Sequence, residues 1–376
     1  MQFLKSLLVL SSLSASIYAS PFARRNTTEK RYAILDNDWS TAGFIPFLLA
    51  VDAGINVLGI TSSTANTWQK QCAYHALATL EIGNLSCIPV YYGSTYPLIN
   101  TYERFQAWEA VHGVLPWQGV FAPYNATAEA LGSDPTADSS DPNRISAEAF
   151  LEGYPNTTAV TGKSAAQFMI EQVRKYPGQV SIYAAGALTN VALAVRLDED
   201  FASLARELVI MGGYVDVNMN QATGTVNQAD INSDINLMID PEATKIALTA
   251  DFPNIVVAGN VANQVISTQE FLDEIYEVKN PYSKLMYEYY GTIFPFWDET
   301  AMAILIDPSI ATNTSTVYLD VDVAYASPSY GNIHVYQSAL MPPNIRNVTY
   351  VNKIDTARFK AMIKHAVQYP KSCADL

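Results

Sequence analysis

The sequence has few of the residues that build metal centres and disulfide frameworks. Its 376 residues include only three cysteines and four histidines, and it contains no C-x-x-C pair and no H-E-x-x-H motif. These absences argue against the common structural zinc site and leave no zinc-protease helix motif. Three cysteines are too few for a disulfide scaffold, although Cys72, Cys87 and Cys373 could form one disulfide and leave one thiol. No G-x-S-x-G element is present, which excludes the usual α/β-hydrolase nucleophile.

Basic side chains are also scarce. Lysine and arginine total 22 against 36 acidic residues, and the formal net charge is −14. This balance disfavours nucleic acid and anionic membranes as partners. What the chain does have is apolar content: 49% of residues are hydrophobic and 15% are charged. That composition is typical of a globular protein with a large core.

Residues 1–20 have the layout of a secretory signal peptide. Lys5 precedes an apolar run, Leu7–Leu10, and small residues follow up to Ser20. No later segment is long and apolar enough to span a bilayer, so we expect no membrane association once this peptide is removed. Residues 21–31 are expected to be a flexible start. The two dibasic pairs in this segment are either protease processing sites or simply solvated basic residues.

The pattern N-x-[ST] occurs six times. One copy is weak evidence because it arises by chance, but six copies behind a signal peptide predict a secreted, extracellular and N-glycosylated protein. The acceptor residues would be Asn26, Asn84, Asn125, Asn156, Asn313 and Asn347.

Strand-like and helix-like segments alternate along most of the chain. Strands are predicted at 32–35, 57–61, 88–91, 180–184, 208–211 and 255–258, and helices at 44–52, 68–82, 164–176 and from 190 and 240 onward. This rhythm predicts an α/β fold with a mostly parallel, open sheet and helices on both faces. Residues 317–350 alternate in polarity and predict a small antiparallel C-terminal extension, followed by a helix over 356–367. No linker is evident, so one domain over 32–376 is expected.

Residues 112–162 interrupt the alternation with five prolines, many small polar residues and two of the sequons. A stretch of this length predicts a long surface insertion. Either it partly covers a functional site or it is a glycosylated decorative loop.

Polar residues follow the predicted strands, and the first strand leads to Asp36 and Asp38. Period-2 alternation places both carboxylates on one side of the strand end, where parallel sheets bind ligands. Such a pair suits a hard cation, a sugar or a general base. Alternatively, Asp38 caps the next helix and Asp36 is merely solvated. Acids and amides without a phosphate-binding loop favour a neutral polyol such as a sugar.

A set of short motifs together resembles the inosine–uridine-preferring nucleoside hydrolase family, over roughly residues 32–310. The motifs, in order, are Ile34-Leu35-Asp36-Asn37-Asp38, Gly59-Ile60-Thr61 with Asn66, Pro89–Gly93, Gly186-Ala187-Leu188-Thr189-Asn190, Ile210–Gly213, Asp234-Ile235-Asn236 leading into Asp240–Ala243, and Trp297-Asp298-Glu299.

The resemblance implies a Rossmann-like nucleoside hydrolase fold, a small nucleoside as partner, and a calcium ion that binds the ribose hydroxyls and the attacking water. It assigns the general base, which also contacts the metal, to Asp38. The remaining metal-binding positions fall on Thr189, through its carbonyl, and Asp298. The implied substrate-contacting positions are Asp36, Asn66, Asp234 and Asn236, where Asp234 replaces the family's usual glutamate. Self-association, frequent in this fold, is a further expectation.

The first motif departs from the family pattern D-x-D-P-G-x-D-D. Its last two aspartates are Ala42 and Gly43 here, and the latter position normally binds calcium through both oxygens. The resemblance therefore implies weakened calcium binding, because affinity depends on ligand charge. Waters or Glu299 could replace the missing carboxylate ligands, or the metal could be absent.

Two further positions concern the leaving base. A histidine that often precedes the C-terminal aspartate is Trp297 here, which can stack on a base but cannot usefully protonate it. Its alternative role is that of a packed core aromatic. His112, followed by Gly113, resembles a base-facing family pair and is a candidate acid, or else a solvated loop residue.

Two functions from different classes follow. The first is a secreted nucleoside N-ribohydrolase that cleaves the N-glycosidic bond, with Asp38 activating water. The second is a catalytically impaired relative that binds a nucleoside, a sugar or a protein partner. The missing aspartates favour the second, whereas five retained polar positions favour the first. Hydrolysis of another N-riboside is a third alternative.

Overall fold

The computed structural model describes residues 30–115, 117–138, 141–215, 234–292 and 294–376. The predicted signal peptide, most of the predicted flexible start and the Asn26 sequon lie outside the described residues. Within the described part, no helix combines the length and apolarity that crossing a membrane requires.

The described strands form a nine-stranded sheet in the order β3-β2-β1-β4-β5-β6-β9-β7-β8. Every neighbouring pair from β3 to β9 is parallel, whereas β7 runs antiparallel to both β9 and β8. This confirms the predicted fold class. The strands are β1 Tyr32–Asn37, β2 Asn56–Ser62, β3 Val90–Tyr91, β4 Val180–Ala185, β5 Glu207–Met211, β6 Ile255–Ala258, β7 Ala311–Val321, β8 Ile333–Tyr336 and β9 Asn347–Ile354.

Helices cover both faces of the sheet because its strands are apolar on both sides. Ile34 packs in one hydrophobic cluster and its neighbour Leu35 in the other, as period-2 alternation requires. The helices are α1 Ile45–Asp52, α2 Gln69–Ile82, α3 Tyr102–His112, α4 Ala126–Ala130, α5 Ala165–Lys175, α6 Thr189–Leu197, α7 Phe201–Leu204, α8 Ile235–Ile239, α9 Pro241–Thr249, α10 Gln269–Tyr276, α11 Pro281–Tyr289, α12 Trp297–Ile306 and α13 Thr356–Gln368.

Local sequence explains where several of these helices begin. Asp240 caps α9 by accepting the backbone N–H of Ala243, with Pro241 in the first turn. Ser164 and Gln167 form a reciprocal capping box at α5. These starts lie within a residue of the sequence prediction.

The C-terminal extension differs in one respect from the prediction of antiparallel strands. β9 is antiparallel to β7 but parallel to β6, so it joins the extension to the main sheet. The chain end is also attached covalently, because Cys373 forms a disulfide with Cys87, just beyond α2. Cys72 is the remaining cysteine, and it is buried as a thiol.

The strand order reverses between β1 and β4, which are neighbours although β2 and β3 lie between them in the chain. In doubly wound sheets, a crevice opens at the carboxyl ends of the strands at such a reversal. The residues after β1 are therefore placed where a ligand site is expected.

Candidate active site

A cavity of about 950 Å³ opens at the carboxyl edge of the sheet, above the end of β1. Its lining combines residues at the carboxyl ends of four strands with residues of the insertion. Asp38 follows β1, Asn66 follows β2, and Ala185 and Met211 end β4 and β5. The resemblance-derived positions found in the lining are Asp38, Asn66, Asp234, Asn236, Trp297 and Asp298.

Asp38 is held by hydrogen bonds on both its side chain and its backbone. Its Oδ2 accepts the backbone N–H of Asn66 at 2.8 Å, and its carbonyl oxygen accepts Asn66 Nδ2 at 2.7 Å. Its own N–H donates to Asn37 Oδ1 at 2.9 Å. The first residue before α1 is Phe44, which makes no side-chain cap. Asp38 is therefore not a helix cap, and its carboxylate is fixed at the cavity floor.

Asp36 lies beneath the cavity and does not line it. It is fully buried, so the alternative of a solvated carboxylate is wrong. Its Oδ1 accepts from Thr61 Oγ1 at 2.6 Å and from Asn190 Nδ2 at 2.8 Å. Burial raises the pKa of Asp36 to about 6, against these two hydrogen bonds. Asp36 thus adds buried charge close to Asp38.

The cavity floor is an acidic cluster. Burial raises the pKa of Asp38 well above its ordinary value, and the charges of Asp298 and Asp36 raise it further. Burial also raises the pKa of Asp298 to about 6, although Asn37 Nδ2 donates to its Oδ2 at 3.0 Å. Glu299 has a pKa of about 8 because of burial and the charge of Asp298. No lysine, arginine or histidine is among the described lining residues.

Asp234 and Asn236 belong to the part of the lining that follows β5. Asp234 caps α8 by accepting Leu237 N–H at 3.0 Å, and its other oxygen accepts Gly213 N–H at 2.9 Å. Burial raises the pKa of Asp234 to about 7. Asn236 Nδ2 donates to the Met211 carbonyl oxygen at 3.2 Å. Both side chains are thus rigidly placed beside the acidic cluster.

Aromatic rings form another wall of the cavity. Trp297, half-buried at the start of α12, donates its Nε1–H to Asn263 Oδ1 at 2.7 Å. Its ring meets Phe294 at a centroid distance of 4.8 Å, and Phe294 in turn meets Trp117 at 6.4 Å. Trp297 is therefore part of the cavity wall rather than an enclosed core residue.

The structure does not bring His112 or Thr189 to the cavity lining. His112 ends α3, stacks on Trp108 at 4.8 Å and contacts the carbonyl oxygen of Pro328. Thr189 begins α6, where its hydroxyl donates to Asp240 Oδ2 at 2.7 Å. His112 is thus neither free in a solvated loop nor placed to face a ligand in this cavity.

The insertion covers one side of the cavity, so it is more than a decorative loop. Trp117, Gln118, Asp134 and Leu151 all contribute to the lining. The insertion begins where α3 ends and contains an α-helix of its own, α4, and the sequence predicted neither helix.

A buried histidine ties the insertion to the rest of the fold. His75 of α2 is fully buried, with Nε2 at 3.0 Å from Asp134 Oδ1 and Nδ1 at 2.5 Å from Glu152 Oε1. The other oxygen of Glu152 accepts the hydroxyl of Thr41, a cavity-lining residue, at 2.6 Å. Sequence reasoning missed this network because its members are far apart in the chain and match no motif.

The protonated His75 should make stability depend on pH. Burial alone would lower the pKa of His75, but Asp134 and Glu152 raise it to about 10. In the unfolded chain, the pKa of a histidine is about 6.5. The stabilisation is therefore complete below that value and is lost as the pH rises through about 10.

Urea unfolding of the wild type and of His75→Gln at pH 6, 8 and 10 measures this contribution. We expect the stability difference between the two proteins to be largest at pH 6 and to shrink steadily toward pH 10. A difference that stays constant with pH would mean that His75 is neutral in the fold.

The donor set at the cavity floor can be compared with the calcium site that the resemblance implies. Calcium sites combine several oxygen ligands, and ligand charge sets their affinity. Asp38 and Asp298 both line the cavity, but the third acidic position is Gly43, which has no side chain. In the described ranges, no three Asp, Glu, His or Cys side chains converge to hold a metal ion. The residues present therefore do not complete the three-carboxylate site.

Comparison with known proteins is consistent with this geometry. The family described as "Inosine-uridine preferring nucleoside hydrolase" matches residues 33–361. An uncharacterized protein of Schizosaccharomyces pombe is 35% identical over 82% of this chain and 77% of its own length. Uridine nucleosidase 1 of Arabidopsis thaliana is 30% identical over 67% of this chain and 63% of its own length. The solved plant nucleoside hydrolase PpNRh1 superposes with a TM-score of 0.67 at 22% identity, over 91% of this chain and all of its own.

Proposed function

The chain belongs to the inosine–uridine-preferring nucleoside hydrolase family of N-glycosyl hydrolases, and we propose that it cleaves a ribonucleoside to free base and ribose with Asp38 activating water. One observation carries this proposal. A buried carboxylate, fixed by Asn66, stands at the floor of a cavity beside Asp298 with no basic side chain in the described lining.

The electrostatics of the floor suit this reaction. Cleaving an N-glycosidic bond builds positive charge on the sugar, as in other glycosyl transfers. Negative charge at Asp38, Asp298 and the underlying Asp36 favours that developing cation. A carboxylate with a raised pKa is also a stronger base, so Asp38 is suited to take a proton from water near neutral pH. The proton passes from the water to Asp38 as the new oxygen–carbon bond forms and the carbon–nitrogen bond breaks. The base leaves with the bonding electron pair and takes a proton from solvent, to which Asp38 then returns its own proton.

The remaining lining residues divide between the two halves of a nucleoside. In the proposal, Asn66, Asp234 and Asn236 contact the sugar, and Trp297 presents its ring to the base. The proposal gives His112 no part in protonating the base, because it contacts Pro328 outside the cavity lining.

Members of this family are commonly calcium-dependent. For this chain we propose that any calcium binding is weak, because Gly43 supplies no carboxylate. When bound, calcium would polarise the attacking water and the sugar hydroxyls. Asp38 and Asp298 are the residues here that could contact it, and the steps above do not depend on it.

The second candidate function is a catalytically impaired protein that binds a nucleoside, a sugar or a partner protein. Its specific support is that Ala42 and Gly43, where the family has two aspartates, both line the cavity. Under this alternative the cavity and its hydrogen bonds persist, but no bond is cleaved.

We also propose that the protein is secreted and N-glycosylated. The support is the signal-peptide pattern, the sequons and a cysteine pairing, Cys87–Cys373, that suits an oxidising compartment. Self-association remains an expectation from the resemblance alone.

The deciding experiment measures free ribose released by the purified protein from inosine, uridine, adenosine and another N-riboside, with and without added calcium. We expect release from at least one nucleoside, and the pattern ranks the bases. A folded protein that releases no ribose from any of them, but still binds a nucleoside in calorimetry, would support the impaired-relative alternative.

A further inference from the structure

Trp117 of the insertion makes a contact that the mechanism above does not use. Its indole Nε1–H donates to Asn66 Oδ1 at 2.7 Å. The ring is 44% exposed and lines the cavity, with its only described ring partner, Phe294, meeting it edge-on. A surface tryptophan is therefore joined by a hydrogen bond to a residue that touches Asp38.

The Trp117 hydrogen bond completes the set of contacts around Asn66. The backbone N–H of Asn66 donates to the Asp38 carboxylate at 2.8 Å, and its side-chain Nδ2 donates to the Asp38 backbone carbonyl oxygen at 2.7 Å. Its Oδ1 has the Trp117 indole as donor. An amide side chain takes the orientation that satisfies its donors and acceptor together. Removing the indole N–H would leave Oδ1 without this partner and allow the amide to rotate away from the Asp38 carbonyl oxygen.

The backbone holds Trp117 close to this position. Val120 N–H donates to the Ala65 carbonyl oxygen at 2.7 Å. Gly119, at φ +53°, lies so close that an added Cβ would stand 2.1 Å from the same oxygen. The segment after Trp117 is thus pressed against the Ala65–Asn66 loop, in a conformation that favours glycine. The indole is presented to Asn66 by two contacts that are independent of its own hydrogen bond.

We propose that Trp117 is a positioning residue whose indole N–H fixes the Asn66 amide and, through the bond of that amide to the Asp38 carbonyl oxygen, the position of Asp38 at the strand end. The inference rests on the proposed function, because it assigns Asp38 the role of base. It predicts a rate effect larger than any affinity effect, since the catalytic geometry changes while the other lining residues stay in place.

Trp117→Phe tests this, because it keeps an aromatic ring and removes the N–H. Losing one neutral hydrogen bond corresponds to about a tenfold effect, so we expect kcat to fall roughly tenfold while KM changes less than about threefold. Trp108→Phe is the matched control. Trp108 lies buried in α3, just before the insertion, and its Nε1 has no hydrogen-bond partner among the described residues. That variant should keep wild-type kcat and KM.

A double-mutant cycle with Asn66→Ala separates positioning from stacking. If Trp117 acts through Asn66, then Trp117→Phe has less than about a twofold effect on kcat in the Asn66→Ala background. Full additivity, or a Trp117→Phe variant that matches the wild type, would overturn the inference.

The same four proteins are also compared in urea unfolding, which requires no activity. If the wild type releases no ribose, the proposed function fails. The double-mutant cycle on unfolding free energy then still tests the contact between Trp117 and Asn66. Coupling between the two substitutions supports the contact from Trp117 to Asn66, and strict additivity refutes it.

Discussion

Asp38→Asn should lower ribose release by about a thousandfold or more, in the range expected for loss of a general base. The amide cannot take a proton from water, but its oxygen can still accept the Asn66 N–H that holds the native carboxylate. Folding should therefore survive. Replacing a buried charge beside Asp298 with a neutral group should leave the unfolding midpoint unchanged or raise it at neutral pH.

The measurement is kcat on the nucleoside that the wild type cleaves fastest, together with thermal unfolding of each protein. Asp200→Asn is the matched control, since this aspartate is 59% exposed and does not line the cavity. It should behave as the wild type. An Asp38→Asn variant with near-normal turnover would show that another group activates the water.

Gly43→Asp should strengthen calcium binding on the order of 100-fold, because it adds the carboxylate that the cavity floor lacks. Gly43 does not lie in the left-handed region, so its backbone accepts a side chain. The space is tight, since an added Cβ would stand 3.0 Å from Ser40 N and 3.3 Å from Ser40 Oγ. Adding Ser40→Gly should relieve the second of these contacts.

Calorimetric titration with calcium distinguishes the charge from the added bulk. Gly43→Asn has the same shape without the charge and should bind calcium no better than the wild type. The aspartate variant should also show an unfolding midpoint that rises with calcium concentration. Equal affinity in all three proteins would place any calcium site away from this edge of the cavity.

The sheet could be predicted from the sequence because its signals are local. Apolar runs such as Val180–Ala185 are bounded by turn residues, and the cap at Asp240 lies within one turn of the helix that it starts. Which strand lies beside which in the sheet is not encoded in such local signals. Alternating polarity revealed the C-terminal strands, but nothing local indicates that β9 lies beside β6.

In the site as well, local motifs could be read from the sequence, whereas the orientation of individual side chains could not. Motif resemblance identified Asp38, Asn66 and Asp298 as candidate positions, and all three line one cavity. It also suggested His112, yet α3 continues to that residue and turns it toward Pro328. A two-residue match carries no information about where a helix ends.

The contacts between the insertion and the site were beyond sequence reasoning altogether. His75 meets Glu152 across 77 residues, and Trp117 meets Asn66 across 51. Each pair depends on how a proline-rich segment folds back over the sheet. Single residues in such a segment show no periodicity from which their partners could be read.

The Cys87–Cys373 disulfide closes a ring of chain that spans 286 residues and contains the whole insertion. A protease that cuts one exposed loop within the ring would leave both pieces covalently joined. On a non-reducing gel such a nicked protein would run as one band, and only reduction would separate the fragments. Preparations used for kinetics therefore need to be checked for intactness after the disulfide has been reduced.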